Sequence, residues 1–202
     1  ATARLPDDDQ PLLLTACYHT NKDGWESSSP VYLYNGTDFV LVDAVNTIGA
    51  HDVETVLVGN RLFAFYAYDR NDETVELESQ LFEWTDNGFV LVQSIPTVGA
   101  HGATFFQHET KNYLAVANFG DRGANDLRKR SVVYAFDPSS GAPLRPIQEL
   151  ETTGATDFES FQMEGRTFLA VSNEQDPQSG ADIHSHVWLV SKEQGDPSVQ
   201  DL

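Results

Sequence analysis

An internal repeat of about 50 residues limits the possible folds of this chain more than any other feature. Its first half reads TIGAHDVETVLVGNRLFAFYAYD from Thr47, TVGAHGATFFQHETKNYLAVANF from Thr97 and TTGATDFESFQMEGRTFLAVSNE from Thr152. Gly49, Gly99 and Gly154 are in register, at spacings of 50 and 55 residues. A period of this size is typical of solenoids, propellers and other repeat arrays.

The second half of the repeat occurs four times. It reads SPVYLYNGTDFVLVDAV, SQLFEWTDNGFVLVQSI, SVVYAFDPSSGAPLRPIQEL and SHVWLVSKEQGDPSVQDL. A weaker first copy of the earlier half aligns Ala1 with Ala155, although Pro6 and Asp7–Asp9 fit a strand poorly. We therefore predict a single domain over residues 1–202, built from units 1–49, 50–99, 100–154 and 155–202.

Each unit predicts four short strands, because β-branched and aromatic residues lie between turn signals. In the repeat 50–99 these strands are predicted at 52–58, 61–68, 78–84 and 88–93. Asn35-Gly36 and Asn87-Gly88 predict type I′ hairpins between the third and fourth strands. The expected fold is all-β, a β-propeller of four-stranded antiparallel blades with four blades in this chain.

The charge of the chain argues against two classes of partner. The sequence has 12 Lys and Arg against 31 Asp and Glu, a net charge of -19. Such a surface repels phosphate backbones and anionic lipids. Apolar runs such as PLLLTAC are too short to span a bilayer. We expect no nucleic-acid partner and no membrane insertion.

Parts of the repeat resemble a known family. The segment from Thr152 closely resembles the epitempin (EAR, EPTP) repeat, and the segment from Thr97 resembles it more loosely. The resemblance covers residues 88–190 strongly and residues 1–11 weakly. It implies a propeller, an extracellular setting and binding rather than catalysis. Propellers of that family usually have seven blades, so four units leave a four-bladed ring, a half ring completed by a second chain, or part of a longer protein.

Asp52 and Asp157 occupy equivalent positions, three residues after the repeat glycine, with Gly102 and Ala3 at the other two. In a four-bladed ring the two carboxylates would face each other, and oxygen ligands suit Ca²⁺ or Mg²⁺. The family resemblance also implies a calcium ion near the channel. We expect a structural cation on the propeller axis; the alternative is that each aspartate caps a turn.

Histidines add two further candidate metal sites. His51 and His101 are repeat-equivalent and could join the aspartates as ligands, or pack half-buried at strand ends. His184 and His186 are two residues apart, a spacing found in metal sites, but no third ligand is identifiable, so an exposed strand edge is the favoured interpretation.

Two loops carry candidate ligand-binding residues. Trp25 lies outside the repeat pattern in HTNKDGWESSSP, where it could hold a sugar ring or a partner chain, or fold back onto its blade. The loop FGDRGANDLRKRS carries four basic residues, Arg122, Arg128, Lys129 and Arg130. They could grip a carboxylate or sulfate, or neutralise nearby aspartates.

Asn35-Gly36-Thr37 is a sequon for N-glycosylation, and the expected hairpin would expose it. The turn alone also accounts for the Asn and the Gly. Asn35 is therefore a candidate glycosylation site.

Taken together, the sequence predicts a non-enzymatic, secreted binding protein that recognises an extracellular protein or glycan and can form a homo- or hetero-oligomer. P-loop, Gly-x-Gly-x-x-Gly and HExxH motifs are missing from the sequence. One alternative is a lectin or a carrier of a pigment or other apolar small molecule. The other is a metal-dependent hydrolase that uses Asp52, Asp157, His51 and His101.

Overall fold

The computed structural model describes residues 1–6, 10–180, 183–193 and 196–201. Asp7–Asp9, where the sequence predicts a poor strand, lie outside this range. The described residues form strands and connecting turns, and they contain no helix that could cross a membrane. The strands are β1 (Thr2–Arg4), β2 (Pro11–Leu14), β3 (Glu26–Tyr34), β4 (Phe39–Ile48), β5 (Ala50–Val58), β6 (Arg61–Tyr68), β7 (Glu76–Thr85), β8 (Gly88–Val98), β9 (Ala100–His108), β10 (Lys111–Asn118), β11 (Arg130–Phe136), β12 (Leu144–Glu151), β13 (Ala155–Met163), β14 (Arg166–Asn173), β15 (His186–Glu193) and β16 (Asp196–Asp201).

These strands form four antiparallel sheets of four strands, with the strands of each sheet in chain order: β1 to β4, β5 to β8, β9 to β12 and β13 to β16. The chain divides into two compact units, each larger than one sequence repeat: the first unit comprises residues 1–97 and the second unit comprises residues 98–202. The prediction of an all-β chain of four-stranded antiparallel sheets is confirmed. The number of blades in a closed ring, and the single domain, stay predictions.

Each unit has its own hydrophobic core. In the first unit, buried residues of both sheets pack together, among them Leu14, Val31 and Tyr66. In the second unit, Leu169 and Trp188 belong to a similar cluster. The second strands are buried almost throughout because they lie inside the sheet and are covered on both faces. This explains why LFAFYAY and YLAVAN read as continuous apolar runs.

A buried pair of hydroxyl groups recurs in the sheets. In the second sheet, the backbone N–H of Tyr68 donates to Ser79 Oγ at 3.0 Å, and Ser79 Oγ lies 2.8 Å from Thr97 Oγ1. Thr97 donates in turn to the Leu77 carbonyl at 3.2 Å. The same chain of bonds runs through Cys17, Ser29, Thr47 and Ser27 in the first sheet and through Asn118, Ser131, Thr152 and Lys129 in the third. In each of these three sheets, the series of hydrogen bonds ties the last three strands together at one end.

The hydroxyl pairs also correct the register of the first repeat. The backbone N–H groups of Cys17 and Asn173 both donate to a serine hydroxyl, so these residues are equivalent. Strand pairing then matches Thr2 with Ser160. The predicted alignment of Ala1 with Ala155 is therefore wrong, by two residues in β2 and by four in β1. The reason is that the first hairpin has a longer loop than the hairpin between β13 and β14.

The two Asn-Gly turns differ from the prediction as well. A type I′ turn needs a positive φ at both central residues, but in these dipeptides it is Gly36 (φ 101°) and Gly88 (φ 96°) that have one. Asn35 Oδ1 instead accepts the backbone N–H groups of Thr37 at 3.0 Å and Asp38 at 2.9 Å. The asparagine side chain thus closes a four-residue turn, and the type I′ prediction is wrong.

We predict that Ser79→Ala lowers the free energy of unfolding by about 1 to 3 kcal/mol, because the backbone N–H of Tyr68 and the hydroxyl of Thr97 lose a partner in a buried site. Urea denaturation measures this loss. The matched control is Ser28→Ala on the exposed side of β3, where we expect a change within about 0.5 kcal/mol. Equal effects of the two substitutions would contradict a structural role for the hydroxyl pair.

Candidate functional site

The second unit contains two adjoining hollows of about 380 and 450 Å³, which we call the polar cleft. Both hollows are lined by Arg128, Glu151, Thr152, Thr153 and His186. Asn173, Asp176, Gln178 and His184 line the first hollow, and Glu149 and Trp188 line the second. The residues come from the end of β12 and the loop that follows it, from the end of β14, from the start of β15 and from the loops before β11 and β15. A concave site with several converging polar groups is typical of a ligand pocket.

An ion pair between Arg128 and Asp176 fixes one wall of the cleft. Arg128 Nε donates to Asp176 Oδ2 at 2.7 Å, while the backbone N–H groups of Gln178 and Ser179 donate to Asp176 Oδ1 at 2.8 and 3.0 Å. The hydrogen bond from Arg128, followed by those from the backbone, holds the pKa of the Asp176 carboxyl well below its usual range. Asp176 therefore stays ionised and orders the loop before β15.

Two glutamates project beside the cleft from β12. Glu149 and Glu151 are exposed and flank the buried Leu150, so both lie on the same face of the strand. Arg130 on β11 bridges them, with Nη1 2.7 Å from Glu149 Oε2 and Nε 2.8 Å from Glu151 Oε1. These bonds, with Glu149 contributing most, raise the pKa of the arginine above its usual value. The bridge holds two carboxylates close together at the cleft.

Aromatic rings line the second hollow. His186 is exposed and lies nearly parallel to Trp188, with ring centroids 5.7 Å apart and an angle of 18°. Trp188 is buried and faces Phe158 at 6.1 Å. The backbone carbonyl of His184 accepts a bond from Asn173 Nδ2 at 2.9 Å. This part of the cleft therefore combines a histidine ring with the edge of an aromatic core.

The remaining basic residues of the predicted loop also contact acidic groups. Arg122 donates to Glu174 Oε1 at 2.6 Å and its guanidinium lies 5.0 Å from the centroid of the Phe119 ring. Lys129 Nζ lies 2.5 Å from Asp126 Oδ2. Of the four basic residues predicted to bind a ligand, Arg128 lines the cleft and Arg130 holds its glutamates. Their role in ligand binding stays a prediction.

The predicted metal ligands lie at a β-bulge that recurs in the repeat. The strand register shifts between Ala50 and Asp52, and again between Ala155 and Asp157. Asp157 Oδ1 accepts the backbone N–H of Phe158 at 2.8 Å. The corrected register of β1 places Ala3 opposite Leu12, which is not the position of the aspartates.

The two histidines of this region contact aromatic rings. His51 packs edge-on against Tyr18 with ring centroids 5.6 Å apart. His101 stacks on Phe119 at 4.1 Å and 8°. Within the described ranges, no three His, Cys, Asp or Glu side chains form a group that could hold a metal ion. The axial Ca²⁺ or Mg²⁺ stays a prediction.

Trp25 is half-buried and belongs to a ring cluster of the first unit. Its ring meets Tyr18 at 5.0 Å and His19 at 4.9 Å, and its Nε1 donates to Asp72 Oδ1 at 2.8 Å. Asn35 is exposed at its turn, and its glycosylation stays a prediction.

Sequence reasoning missed Glu149, Glu151, Asn173 and Asp176. Acidic residues are spread over this whole sequence, so their residue type alone does not single out any of them. The one available signal was the basic loop from Arg122 to Arg130 in an acidic chain, since such a cluster needs carboxylate partners nearby.

Comparison with known families explains the repeat. The sequence model of the EPTP domain matches residues 88–137 and 144–187. Two segments of the chain are thus similar to epitempin repeats. The resemblance seen in the sequence is thereby confirmed, and the matched epitempin repeats contain β12 and most of the residues that form the cleft. No curated protein matches the chain.

Three solved structures with a similar fold are enzymes. An exo-β-1,3-galactanase from Phanerochaete chrysosporium, solved with β-1,3-galactotriose, has a TM-score of 0.58 at 13% identity, and the match covers 99% of this chain and 49% of the galactanase chain. A GH43_1 enzyme from Xanthomonas citri in complex with xylotriose has a TM-score of 0.51 at 11% identity, and the match covers 99% of this chain and 72% of the enzyme chain. The same enzyme in a second structure gives a TM-score of 0.52 at 12% identity.

These neighbours correct the expected function. This chain spans about half the length of the galactanase, and at these identities the likeness establishes the fold alone. The prediction of a non-enzymatic binding protein is contradicted, because the structural neighbours are glycoside-hydrolase enzymes. The error came from carrying the binding role of the resembled family over to a fold that also supports catalysis.

We predict that Asp176→Asn lowers the free energy of unfolding at pH 7. A depressed pKa in the folded state means that ionised Asp176 stabilises the fold. That contribution is complete above the pKa of an unfolded aspartate, about 3.9, and is lost as pH falls towards the folded value. Urea denaturation at pH 7 and pH 3 should therefore show a smaller difference between variant and parent at pH 3. Asp86→Asn, at an exposed turn, is the matched control and should change the free energy of unfolding at pH 7 by no more than about 0.5 kcal/mol.

The predicted structural cation is checked by chelation. An ion that binds only the folded chain stabilises it by mass action, so EDTA should lower the Tm and Asp157→Ala should remove this sensitivity. A Tm that EDTA leaves unchanged would leave Asp157 as a turn cap alone.

Proposed function

We propose that this chain supplies four blades of a β-propeller that acts on carbohydrate as a glycoside hydrolase, with the substrate in the polar cleft. The observation that carries the proposal is the bridge of Arg130 between Glu149 and Glu151 at the edge of that cleft. A carboxylate pair is the chemical requirement that most glycoside hydrolases share. The fold likeness to the galactanase is consistent with it.

The spacing of the two glutamates suits this chemistry. Their Cα atoms are two residues apart on one strand face, about 6.6 Å at about 3.3 Å per residue, and one guanidinium contacts both carboxylates. Glutamate side chains on such a face can place their carboxyl groups about 5 to 9.5 Å apart, the separation found in glycosidases. In the proposed reaction one carboxylic acid gives its proton to the glycosidic oxygen. The other carboxylate takes a proton from the water, whose oxygen attacks the anomeric carbon. The bond to the leaving sugar breaks, and one water molecule is added overall.

The other groups of the cleft suit a neutral saccharide. Asn173, Gln178 and His184 can exchange hydrogen bonds with hydroxyl groups, and the His186 ring can lie against a sugar face. The net charge of -19 disfavours polyanionic substrates. β-Linked neutral oligosaccharides, such as those held by the two neighbours, are therefore the proposed substrate class.

The number of chains in the propeller is part of the proposal. Four sheets close a ring alone, complete one with a second chain, or belong to a larger propeller. The mass of the protein in solution separates a closed monomer from an assembly. Secretion, implied by the family resemblance and compatible with the Asn35 sequon, completes the proposal.

Release of reducing ends from β-1,3-galactotriose and xylotriose tests the activity. Glu149→Gln and Glu151→Gln should each lower kcat by about 10²- to 10⁴-fold, the usual contribution of general acid–base catalysis. Binding of the trisaccharide, measured by calorimetry, should remain.

Glu164→Gln is the matched control, because this exposed glutamate lies at the turn after β13 and should leave kcat unchanged. Full activity in the double variant of Glu149 and Glu151 would reject the carboxylate assignment. Neither binding nor hydrolysis of either sugar by the full chain would reject the proposed function.

A further inference from the structure

We propose that the ring cluster of the first unit, formed by Tyr18, His19, Trp25 and His51, is an additional binding platform for a neutral saccharide. This inference rests on the proposed function and extends it. The platform consists of residues separate from those of the polar cleft. It would hold a sugar unit by ring stacking and hydrogen bonding, without a role in bond cleavage.

The rings form a compact group. Tyr18 meets Trp25 and His51 edge-on, at angles of 86° and 88° and centroid distances of 5.0 and 5.6 Å. His19 meets Trp25 at 4.9 Å and 73°. Tyr18 is 38% exposed, and His19 and His51 are exposed as well. Aromatic surface at a loop tip, rather than in the core, is available to a ligand.

Polar contacts hold the rings in place. Trp25 Nε1 donates to Asp72 Oδ1 at 2.8 Å, and the Trp25 carbonyl accepts the backbone N–H of Gly49 at 2.9 Å. The Tyr18 hydroxyl donates to Asp69 Oδ2 at 2.7 Å. Burial and the bond to Asp69 raise the pKa of Tyr18 to about 12, so the phenol stays neutral. Rings fixed in this way lose little entropy when a ligand stacks on them.

The loop that carries Trp25 is itself ordered. Thr20 and Gly24 exchange backbone hydrogen bonds of 2.9 and 3.0 Å, and Thr20 Oγ1 accepts the backbone N–H of Asp23 at 2.8 Å. Gly24 has a φ of 67°, which closes the turn immediately before the tryptophan. The position of Trp25 is therefore set before any ligand arrives.

The equivalent position in the second unit is built differently. Phe119 matches Tyr18, because each follows a residue, Asn118 or Cys17, whose backbone N–H donates to a serine hydroxyl. There Arg122 lies over the Phe119 ring at 5.0 Å and His101 stacks on it at 4.1 Å. In the second unit other side chains thus cover the Phe119 ring, whereas the matching Tyr18 ring of the first unit stays partly exposed.

The chemistry of the cluster favours a neutral sugar. The C–H face of a pyranose can stack on an indole or phenol ring, while its hydroxyl groups bond to polar atoms at the ring edges. Asp72, an exposed carboxylate next to the indole, can accept such a bond. Asp69 and Asp72 disfavour anionic sugars. A quaternary ammonium ion also binds aromatic rings beside carboxylates, and the experiment distinguishes it.

The test follows the indole ¹H–¹⁵N signals of the three tryptophans by NMR while β-1,3-galactotriose or xylotriose is added. The Glu149→Gln/Glu151→Gln double variant is used so that the sugar is not consumed. We expect the Trp25 signal to shift when sugar is added. Trp25→Ala should weaken the affinity of the ring cluster for the sugar by about tenfold or more, and in this variant the binding is followed by the His19 and His51 signals. Trp25→Phe should retain most of it. Phe39→Ala, which removes an exposed ring of the same unit, should change nothing.

The outcomes separate this inference from the proposed function. If the Trp25 signal does not move while the cleft binds or hydrolyses the sugar, the platform is rejected and the proposed function stands. If the cleft is inactive and the Trp25 signal shifts with sugar, the proposed function fails and the platform is supported. A shift with tetramethylammonium but not with either sugar rejects the saccharide assignment.

Discussion

The buried hydroxyl pair between Ser79 and Thr97, repeated in the first and third sheets, is the interaction on which the rest of the architecture depends. A backbone N–H at the end of the second strand has left the ladder and would be unpaired without the serine. The serine hydroxyl donates to the threonine, and the threonine donates to a backbone carbonyl. Each donor in this series of hydrogen bonds therefore has an acceptor. This matters because an unmade hydrogen bond in a buried site costs about 1 to 3 kcal/mol.

This arrangement fixes the end of each sheet that carries the loops. Beside it, Gly49 and Gly99 adopt positive φ angles, and a Cβ on either would overlap a backbone carbonyl of the adjoining loop. The chain can therefore turn from a fourth strand into the next first strand only with glycine there. The polar cleft and the ring cluster both lie at such ends within their own units. Their side chains are positioned by strand ends that cannot slip by one residue.

The repeat made much of the fold predictable. Glycines in register and Asn-Gly turns at matching positions of the first two repeats predicted four-stranded antiparallel units, because a strand pattern and a turn are local properties of sequence. The hydroxyl pairs were present in the same aligned segments, with Thr47, Thr97 and Thr152 each two residues before the glycine. Their role could not be deduced, because a serine and a threonine 18 to 21 residues apart meet only once the strands pair.

The site was less predictable for a related reason. Trp25 stood out because it breaks the repeat, whereas Glu149 and Glu151 are two acidic residues among 31. What distinguishes them is Arg130, which lies on the neighbouring strand and is brought next to them by strand register. The turn at Asn35 shows the same limit on a smaller scale. The sequence predicts a turn there, but the asparagine side chain bonds to the backbone and changes its type.

Charge explains why a cleft of this kind needs its arginines. In a chain of net charge -19, carboxylates gathered on one surface repel each other, and one of them would tend to take up a proton. Arg128 and Arg130 weaken the repulsion at the cleft by pairing with Asp176 and with the two glutamates. They leave the lining polar, ordered and without a strong excess of positive charge. Such a lining suits hydroxyl-rich neutral ligands better than anions, so the proposed function rests on the residues of the cleft rather than on the fold, which binding proteins and enzymes can share.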